Sequence, residues 1–490
     1  MITTKQDLND NMMKKDKLEE IRKINNSVSR NWDSWYKKNK YYHSEILRYY
    51  KNAIPKGSSI LELGCGAGTL IGNLSPSYSV GVDISDGMIK LAKRKYPKTQ
   101  FFCKNIENFF IDFKFDYVII SGTIGSIENI QKVFQNISRM CSSDTRLIIN
   151  CYNQLWNPIL KVSASLGMKK PEKIFNWLSI DDIDNFLYIS GYQTIKRDFL
   201  LLFPKYFPVI SKLTNTLFTK LPIIRRFCLE QFVVARLNRP PDNVKNITTS
   251  VVITCRDEEG NIENLVKRIP SMGKHTELIF VEGHSKDKTV EKIKEMIKKY
   301  PEKDIKLMKQ KGIGQGDAFR MGFDNAQGDF VCWLEADLTT PPEEIKFFYD
   351  AYILGHGEYV NGTRLVYMME KDAMPFGNFI INRFFGNLFT IILGQRFTDT
   401  LCGFKAISKK NYLKIRKNIT YFGDFDPFGD FELIFGAIRH NLKVVEIPVH
   451  YAPRSYGEPK AYGKTIISRF KHLFLLFKMS WKAFIKFKLF

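Results

Sequence analysis

Two successive series of short apolar runs, separated by longer amphipathic segments, most constrain how this chain can fold. In the first series, from about residue 55 to 155, the runs are SSILEL, YSVGVD, FDYVIIS and TRLIINCY, and the amphipathic segment DGMIKLAKRKY lies among them. In the second series the runs are VVITC, ELIFVEG, IKLMKQ, FVCWLEAD, EYVNGTR and KVVEIPVHY. Strand-length runs that alternate with helical segments predict parallel sheets with crossover helices. QFVVARLN at 231–238 is a candidate late strand of the first sheet.

The stretch NRPPDNVKNITTS separates the two series and has the composition of a linker. A chain of 490 residues is also too long for one hydrophobic core. We therefore predict the α/β class with two sheet domains. The predicted boundaries are an N-terminal helical segment at 1–50, a first α/β domain at 51–237, a linker at 238–249, a second α/β domain at 250–462 and a terminal helix at 463–490.

A glycine-rich turn follows the first apolar run, in ILELGCGAGTL. Glycines allow a tight turn and bring backbone N–H groups close to a ligand at a helix N-terminus. The next run ends in Asp83, where a carboxylate can accept hydrogen bonds from both hydroxyls of a ribose. The order Glu-x-Gly-x-Gly-x-Gly departs from the dinucleotide fingerprint G-x-G-x-x-G, because position 69 is Thr. Turn glycines with Asp83 as a helix cap are the plainer alternative.

This pattern resembles the first motif of class I S-adenosylmethionine-dependent methyltransferases, and the resemblance covers about residues 50–236. It implies a Rossmann-like methyltransferase sheet that binds S-adenosylmethionine. The implied cofactor-binding residues are Glu62, Gly64, Cys65, Gly66, Gly68, Asp83, Ile84, Met88, Asn105, Ile106 and Ser121. Asn105 and Ile106 would contact the adenine, and Ser121 would face the methyl acceptor. The pattern departs from the family at Gly122, where many members carry Asp.

A catalytic base for the first domain does not stand out in the sequence. Upstream of the glycine turn, NWDSWYKKNKYYH supplies Trp32, Tyr41, Tyr42 and His43. These side chains are predicted either to cover the cofactor as a lid or to pack a helix onto the sheet. Methyl transfer depends mainly on aligning a nucleophile with the sulfonium, so a missing base does not exclude the activity.

Acidic residues follow several runs of the second series. In VCWLEADLTTPPEE, Glu335 and Asp337 are separated by one residue, so in an extended segment they point to the same side. Paired carboxylates suit Mg²⁺ or Mn²⁺, and ligands bind beyond the carboxyl ends of strands in open α/β sheets. The other candidates for a nucleotide-sugar site are Asp257, Glu258, Glu282 and Lys311, the last in a glycine-containing loop.

These segments together resemble inverting family 2 glycosyltransferases of the GT-A fold, most closely the polyprenyl (dolichyl) phosphate hexosyltransferases, over about residues 250–465. The resemblance implies a nucleotide-sugar donor carrying GDP or UDP, with Arg383 added to the donor residues and Glu335 and Asp337 as metal ligands. The implied catalytic residues are Asp337, Arg364, Asp399 and Arg454. Arg454 opens Arg-x-Tyr-Gly-x-x-Lys, which ends at Gly457 and Lys460. Taken singly, each arginine would be interpreted as a surface salt bridge, and Asp399 as a cap.

The acceptor decides what else the second site needs. A polyprenyl phosphate is already ionised near neutral pH and needs no general base, since the second pKa of a phosphate ester is about 6. A glycan hydroxyl would need a carboxylate such as Asp399 or Asp430 to take its proton. Three interpretations remain: a hexosyltransferase acting on polyprenyl phosphate and fused to a methyltransferase, a glycan transferase whose product is methylated, or a chain in which one domain is a scaffold.

The net charge of +23 requires an anionic partner. The tail GKTIISRFKHLFLLFKMSWKAFIKFKLF contains no acid, and Lys471, Lys478, Lys482 and Lys486 share one helical face. This pattern predicts a helix on an anionic membrane surface, and packing on the catalytic domain is the alternative. The apolar segment 199–227 is predicted to be a membrane-dipping insertion or a substrate lid.

Other sequence features bear on location. The eight cysteines include no Cys-x-x-Cys pair, the N-terminus lacks a signal-peptide pattern, and no uncharged apolar run reaches about 18 residues. We expect a peripheral enzyme on the cytoplasmic face of a membrane, without a spanning helix. Nucleic-acid binding is not expected, because the basic clusters are interleaved with long apolar runs.

Overall fold

The computed structural model describes residues 5–216, 218–369, 373–417, 429–456 and 466–489. The chain divides into two compact units, Met1–Asn238 and Arg239–Phe490. Each unit is built on its own sheet of seven described strands with helices around it. The expected α/β class with two sheet domains is therefore confirmed.

The N-terminal unit has the strand order β3-β2-β1-β4-β5-β7-β6. Its strands are β1 (Ser59–Leu63), β2 (Tyr78–Asp83), β3 (Gln100–Cys103), β4 (Phe115–Ser121), β5 (Cys141–Tyr152), β6 (Tyr192–Leu200) and β7 (Glu230–Leu237). Its helices are α1 (Lys5–Arg30), α2 (Trp32–Lys38), α3 (Lys40–Ala53), α4 (Asp86–Lys95), α5 (Ile130–Ser138), α6 (Asn157–Ser165), α7 (Ile180–Ile189) and α8 (Ile210–Thr216).

The first five strands are parallel, as the alternating pattern predicts, but the far edge of the sheet is not. The late strand β7 is present, and it runs antiparallel between β5 and β6. The sheet is therefore mixed rather than parallel. Two antiparallel strands can be joined without a crossover helix. The described part of the connection from β6 to β7 accordingly contains one short helix, α8, and 3₁₀ turns.

Side-chain alternation along β1 builds a core on both faces of this sheet. Leu61 and Leu63 belong to one apolar cluster and Ile60 to the other, and all three are buried. Strands that are covered on both faces are buried throughout, and all five residues of 59–63 are buried, including Ser59 and Glu62. This two-sided core fixes the ends of β1, β2 and β4, from which the candidate site is built.

The N-terminal helices are attached to the sheet through α4. Ser85 caps α4 by accepting a hydrogen bond from the Met88 N–H (3.1 Å), as cap residues do. Asn26 of α1 donates to Asp86 (2.8 Å) and accepts from the Ser85 hydroxyl (2.5 Å) and the Gly87 N–H (3.1 Å). These bonds hold α1 over the start of α4, beside the glycine turn.

The C-terminal unit has the strand order β10-β9-β8-β11-β13-β12-β14. Its strands are β8 (Thr249–Cys255), β9 (Thr276–Glu282), β10 (Asp304–Lys309), β11 (Phe330–Glu335), β12 (Tyr359–Thr363), β13 (Lys405–Ser408) and β14 (Val444–Pro448). Its helices are α9 (Glu259–Arg268), α10 (Thr289–Lys299), α11 (Gln315–Asn325), α12 (Ile345–Ile353), α13 (Phe376–Leu393), α14 (Lys409–Arg416), α15 (Asp430–Arg439) and α16 (Ile466–Phe484).

All six runs of the second series form strands, and the sequence analysis missed β13. This four-residue strand lies antiparallel between β11 and β12 and makes the sheet mixed. The terminal helix α16 packs on this unit, where Leu476, Met479 and Ala483 are fully buried in the main apolar cluster. One face of the predicted basic helix is therefore buried in the core of this unit, as the packing alternative expects.

Candidate active sites

A cavity of about 240 Å³ lies at the carboxyl ends of β1, β2 and β4 in the N-terminal unit. We call it the cofactor cavity. The cavity is lined by ten of the residues that are assigned to the cofactor from the sequence: Glu62, Gly64, Cys65, Gly66, Asp83, Ile84, Met88, Asn105, Ile106 and Ser121. Gly68 is not among the lining residues. A Cβ at Gly68 would lie 2.7 Å from the Phe101 ring, so this glycine allows close packing behind the turn.

The glycine turn has the backbone geometry that its composition predicts. Gly64 and Gly66 have φ angles of +79° and +51°, which side chains rarely allow. A Cβ at Gly64 would also lie 2.1 Å from the Thr123 hydroxyl oxygen. The Gly66 N–H donates to Asp83 Oδ2 (2.9 Å), which ties the turn to the end of β2. The turn therefore needs glycine both for conformation and for space.

Two buried carboxyl groups face this cavity. Asp83 accepts from the Gly66 and Ser85 N–H groups, and Glu62 accepts from the Ile71 N–H (3.1 Å). Burial raises the pKa of Asp83, and it raises the pKa of Glu62 to about 8, with a further contribution from the Asp83 charge. Because both acids accept backbone hydrogen bonds, a cationic ligand in the cavity would stabilise their carboxylate forms.

The N-terminal helices close the cavity. Trp32 and Tyr36 of α2, and Tyr42 and His43 of α3, line it together with residues of α1. From the sequence, Trp32, Tyr41, Tyr42 and His43 either cover the cofactor or pack a helix onto the sheet. Three of them line the cavity, whereas the centroid of the Tyr41 ring lies 5.4 Å from that of Tyr206, outside the cavity lining. The sequence analysis missed the contribution of α1 and of the loop that carries Lys170 and Glu172, because no motif marks either segment.

The side of the cavity toward α3 carries a buried polar network. Tyr42 Oη donates to Glu230 Oε1 (2.6 Å), and Asn150 Nδ2 donates to Glu230 Oε2 (2.8 Å). Burial raises the pKa of Glu230 to about 7. Burial and the nearby Lys170 lower the pKa of His43 to about 4, so its imidazole is neutral at physiological pH. His43 therefore resists protonation and presents an uncharged imidazole to the cavity.

In the C-terminal unit, strand register brings the predicted acids to one edge. Glu335 of β11 pairs with Thr254 of β8, and Cys255 of β8 pairs with Glu282 of β9. The chain therefore leaves all three parallel strands at the same level. This alignment places the segments that begin at Arg256, Gly283 and Ala336 along one edge, as the sequence analysis expects.

At this edge Asp337 is buried and Glu335 is half-buried, and both interact with cationic or polar partners. Arg454 Nη2 lies 2.8 Å from Asp337 Oδ2, and Arg454 Nη1 lies 3.3 Å from Glu258 Oε1. The Thr339 N–H (3.1 Å) and hydroxyl (2.8 Å) donate to Asp337 Oδ1. Burial and the Asp337 charge raise the pKa of Glu335, which accepts a hydrogen bond from Gln315. Gln315 follows the glycine loop and was not predicted.

The metal site predicted from the sequence has a partial donor set. Among the described residues, no group of three or more His, Cys, Asp or Glu side chains is arranged to hold a metal ion. Two adjacent carboxylates, whose mutual repulsion raises the pKa of Glu335, still fit a hard cation that takes its remaining ligands from phosphates and water. Glu335 and Asp337 therefore stay the proposed ligands.

Two further acids of this edge are held by buried cations. Arg364 Nε and Nη2 lie 2.7 and 3.0 Å from the two oxygens of Asp399, a bidentate pair. Burial alone would raise the pKa of Asp399, but Arg364 lowers it below the ordinary value. Lys405 Nζ, from the strand that the sequence missed, lies 2.8 Å from Asp430 Oδ1. The guanidinium carbon of Arg364 also lies 5.1 Å from the centroid of the Tyr451 ring, and Tyr451 is close to Glu335 and Asp337.

The remaining predicted donor residues divide into two groups. Asp257 accepts from the Lys286 N–H (2.6 Å), Glu258 contacts Arg454, and Glu282 accepts from the Ser285 N–H, so these three lie at the edge. Lys311 is exposed in the glycine loop, and Arg383 is exposed on α13. The structure brings neither into these contacts. Gly457 and Lys460 lie outside the described residues.

An apolar outer surface accompanies this unit. Helix α13 is long and apolar enough by length and composition to cross a membrane, with mean hydropathy 1.3 and 33% of its length buried. Arg383 interrupts it, which is why no spanning helix is expected from the sequence. Its Phe385 packs edge-on against Phe477 of α16 (5.2 Å). Phe376, Phe384, Phe474 and Trp481 of these two helices remain more than half exposed.

Comparison with known families matches both units. Residues 61–149 match the model described as "Methyltransferase domain", and residues 250–415 match "Glycosyl transferase family 2". The chain contains a methyltransferase domain and a family 2 glycosyltransferase domain. Met1–Asn238 is therefore called the methyltransferase unit below, and Arg239–Phe490 the glycosyltransferase unit.

Curated relatives are transferases that act on lipid phosphates, by their names. Dolichol-phosphate mannosyltransferase of Pyrococcus furiosus is 32% identical over 232 residues, 47% of this chain and 63% of the relative. Undecaprenyl-phosphate 4-deoxy-4-formamido-L-arabinose transferase of Edwardsiella ictaluri is 29% identical over 222 residues, 44% of this chain and 62% of the relative. The chain thus spans less than two thirds of the length of either relative.

Solved structures similar to the chain include methyltransferases. An S-adenosylmethionine-dependent methyltransferase of Thermotoga maritima, a possible histamine N-methyltransferase, aligns with a TM-score of 0.34 and 15% identity over 44% of this chain and 99% of that one. Magnesium protoporphyrin IX methyltransferase of Synechocystis aligns with a TM-score of 0.33 and 17% identity over 45% of this chain and 99% of that one.

Proposed function

We propose that the glycosyltransferase unit transfers a hexose from GDP- or UDP-hexose to a polyprenyl phosphate, with inversion at the anomeric carbon. We propose that the methyltransferase unit uses S-adenosylmethionine, so that the chain is bifunctional. The observation that carries the first proposal is the gathering of Glu335, Asp337, Arg364 and Arg454 at one sheet edge. The names of the two curated relatives support the same acceptor class, a polyprenyl phosphate.

The leaving nucleoside diphosphate gains negative charge in the transition state. Arg454 lies between Asp337 and Glu258, and a guanidinium there can exchange a carboxylate for a phosphate oxygen when the donor binds. A divalent cation held by Glu335 and Asp337 would supply further positive charge at this place. Arg364 is fixed by Asp399, so its direction is set before the donor arrives.

Pairing of the other acids favours a phosphate acceptor over a hydroxyl. A hydroxyl acceptor would need Asp399 or Asp430 as a general base, but Asp399 binds Arg364 in a bidentate pair and Asp430 lies 2.8 Å from the Lys405 ammonium. Carboxylates held this way are poor bases, because a neighbouring cation stabilises their ionised form. A phosphate monoester carries its own nucleophilic charge.

The methyltransferase proposal depends on charge as well as on fold. S-adenosylmethionine is a sulfonium cation, and the cofactor cavity presents Glu62 and Asp83, which are hydrogen-bonded to backbone N–H groups. We propose that Asp83, which lines the cavity, accepts hydrogen bonds from the ribose hydroxyls. The uncharged imidazole of His43 faces the same cavity and can accept a hydrogen bond from a methyl acceptor.

We also propose that the enzyme is peripheral on the cytoplasmic face of a membrane, as acting on a lipid acceptor requires. The exposed aromatic side chains of α13 and α16 and the exposed Lys478 fit an anionic surface. Lys471 belongs to the same predicted face, but its side chain lies outside the described residues.

Removing α16 would open the core, so the better test of the membrane surface is Phe474→Ser with Trp481→Ser. Co-sedimentation with phosphatidylglycerol vesicles should weaken roughly tenfold, and an unchanged affinity would count against this surface. Leu354→Ser, on another exposed apolar position, is the control.

The transferase activity is tested by incubating the full chain with Mn²⁺, polyprenyl phosphate and radiolabelled GDP- or UDP-hexoses. Label should enter the organic phase as a glycosyl phosphate lipid with inverted anomeric configuration. Label that instead enters a water-soluble glycan, with no lipid product from any donor, would replace this proposal by the glycan alternative.

A further inference from the structure

A second cavity of about 140 Å³ adjoins the cofactor cavity in the methyltransferase unit. We call it the aromatic cavity. The two cavities share five lining residues: Trp32, Tyr42, His43, Tyr152 and Lys170. A group held in the aromatic cavity therefore lies next to the cofactor and on the same side as the neutral His43.

The lining of the aromatic cavity combines ring faces with ammonium groups. Trp32, Trp35, Trp156, Tyr42 and Tyr152 supply aromatic surface, and Lys169, Lys170 and Lys205 line the same space. Lys169 and Lys170 share one carboxylate, Glu172, so the lysines are in excess over acids there. Ring faces suit the apolar faces of a sugar or the start of a hydrocarbon chain, and ammonium groups suit phosphate oxygens.

The outer wall of the aromatic cavity belongs to an unusually apolar surface. Ile159 and Met168 line the cavity, yet they are 53% and 40% exposed. Beside them, exposed apolar side chains come from α6 and from the β6–β7 connection: Val162, Leu166, Tyr206, Phe207, Val209, Ile210, Leu213, Ile223 and Phe227. We call these residues, with Ile159 and Met168, the apolar face. Large exposed apolar side chains concentrated on two neighbouring segments are typical of interaction sites.

Hydrogen bonds join the two segments that form the apolar face. Trp156 Nε1, at the start of α6, donates to the Phe227 carbonyl (2.8 Å). Asn153 Nδ2 donates to the Arg226 carbonyl (2.7 Å). Pro204 and Lys205 line the aromatic cavity opposite Leu160 and Ser163 of α6. The cavity thus lies between the two segments rather than behind one of them.

The charge of these segments identifies the partner. Residues 153–171 and 199–229 contain no Asp or Glu. Their basic residues are Lys161, Lys169, Lys170, Lys205, Lys212, Lys220, Arg225 and Arg226. Apolar side chains mixed with lysine and arginine, and free of acids, are complementary to an anionic lipid surface. A soluble protein partner would more often meet both signs of charge.

We propose that the apolar face rests on an anionic lipid surface and that the aromatic cavity receives from it the methyl acceptor, the phosphate-bearing sugar head of a lipid. This inference rests on the proposed function, whose glycosyltransferase product has that chemistry. The lipid chain would leave the cavity past Ile159 and Met168 toward the membrane. The phosphate would meet Lys169, Lys170 and Lys205, and the sugar would lie against the aromatic rings.

The transfer step balances with residues of this cavity. A sugar hydroxyl oxygen forms a bond to the methyl carbon, and the carbon–sulfur bond breaks with its electron pair remaining on sulfur. The products are an O-methyl sugar and S-adenosylhomocysteine. The uncharged imidazole of His43, which lines both cavities, can accept a hydrogen bond from this hydroxyl and orient it, and the hydroxyl proton passes to water as the new bond forms.

Hydrogen–deuterium exchange of the full chain tests the docking. With vesicles of phosphatidylcholine and phosphatidylglycerol, peptides from 155–168 and 205–216 should exchange at least threefold more slowly. The double variant Val209→Asp with Ile223→Asp should lose this protection. Tyr188→Asp, equally exposed on α7 and outside the apolar face, should keep it. Equal exchange with and without vesicles in the wild-type chain would overturn the docking, whatever α16 contributes to vesicle binding.

A cavity-filling variant tests the acceptor. Ser163→Trp should lower methyl transfer to glycosylated polyprenyl phosphate in these vesicles at least tenfold, with S-adenosylmethionine affinity changed less than twofold. Ser165→Trp, exposed on the same helix, is the matched control. Equal activity of Ser163→Trp, methylation of a water-soluble sugar 1-phosphate as fast as the lipid, or no lipid methylation by a wild-type chain that binds S-adenosylmethionine would overturn the acceptor class. Failure to bind S-adenosylmethionine would instead refute the proposed function itself.

Discussion

The two units place carboxylates at the ends of parallel strands, but they neutralise them in different ways. In the methyltransferase unit, Glu62 and Asp83 line the cofactor cavity and accept hydrogen bonds from backbone N–H groups. In the glycosyltransferase unit, Asp337 follows β11 and pairs with Arg454, while Asp399, in the loop before β13, pairs with Arg364. In the first arrangement a bound cation would favour the ionised carboxylates, and in the second the arginines can contact a diphosphate. We therefore propose that the acids of the two sheets serve ligands of opposite charge.

The strongest test of this difference is Asp337→Asn. Loss of this carboxylate should lower sugar transfer by about 10²–10³-fold, the usual cost of removing a group that stabilises transition-state charge. S-adenosylmethionine binding, measured by calorimetry, should stay within twofold. The control is Asp350→Asn, an acid on α12 that pairs with Lys346. Turnover near that of the wild type would remove Asp337 from the site.

The reciprocal variant is Asp83→Asn in the methyltransferase unit. Hydrogen bonds to a charged group contribute about 1.5–3 kcal/mol, so S-adenosylmethionine affinity should fall roughly 10–150-fold. Sugar transfer should not change. Asp181→Asn, an acid on α7 paired with Arg197, provides the control. An unaltered affinity would leave the helix-cap interpretation of Asp83 standing.

A pH titration sharpens the comparison further. Burial raises the pKa of Glu62 to about 8, so its carboxyl is protonated in the free protein at pH 6. A cationic ligand favours the carboxylate, so affinity for S-adenosylmethionine should rise about tenfold between pH 6 and pH 8 and then level off. Glu62→Gln should reduce this dependence, which calorimetry at several pH values would measure. A pH profile identical in the variant would exclude Glu62 as the titrating group.

The same group affects folding stability in a defined direction. Between the ordinary glutamate pKa of 4.5 and the raised value near 8, the folded protein binds a proton that the unfolded chain has released. The Glu62 contribution to stability is therefore lost as the pH rises through this range. Thermal unfolding of the wild type should show a steeper decline in Tm from pH 5 to pH 8 than that of Glu62→Gln.

The smallest expected effect concerns Arg454. Arg454→Gln removes the guanidinium between Asp337 and Glu258, so the affinity for the nucleotide sugar should fall roughly fivefold. Mn²⁺ affinity should rise, because Asp337 loses a competing cation. Titrations with GDP or UDP and with Mn²⁺ separate the two changes. A fall in both affinities would mean that Arg454 supports the metal ligands rather than competing with the metal.

Local patterns were enough to predict most of the fold. The strands that carry the sites are largely apolar runs. The glycines and acids that follow these runs indicate where each strand ends and where a ligand can bind. The short strand β13 escaped, because KAIS is four residues long and its identity as a strand depends on its neighbours β11 and β12. Lys405, the partner of Asp430, was missed with it.

The sites were predictable as lists of residues but not as pairings. The sequence suggested Arg364, Asp399, Arg454 and Asp337 separately, whereas their pairing depends on loops far apart in the chain. The cover formed by α1–α3 over the cofactor cavity carries no motif, because apolar packing accepts many sequences. The sequence of the terminal helix contains both apolar and basic residues. Which face is buried became clear only from the structure, in which Leu476 and Met479 lie in the core.

The central claim is that one chain carries a cation-binding cavity and a separate site for a nucleoside diphosphate. Sequential calorimetric titration of the full chain with S-adenosylmethionine, and then with GDP or UDP in the presence of Mn²⁺, tests it directly. We expect two independent 1:1 binding events, of which Asp83→Asn weakens the first and Asp337→Asn the second. Absence of heat for either ligand, or a single variant that abolishes both, would contradict it.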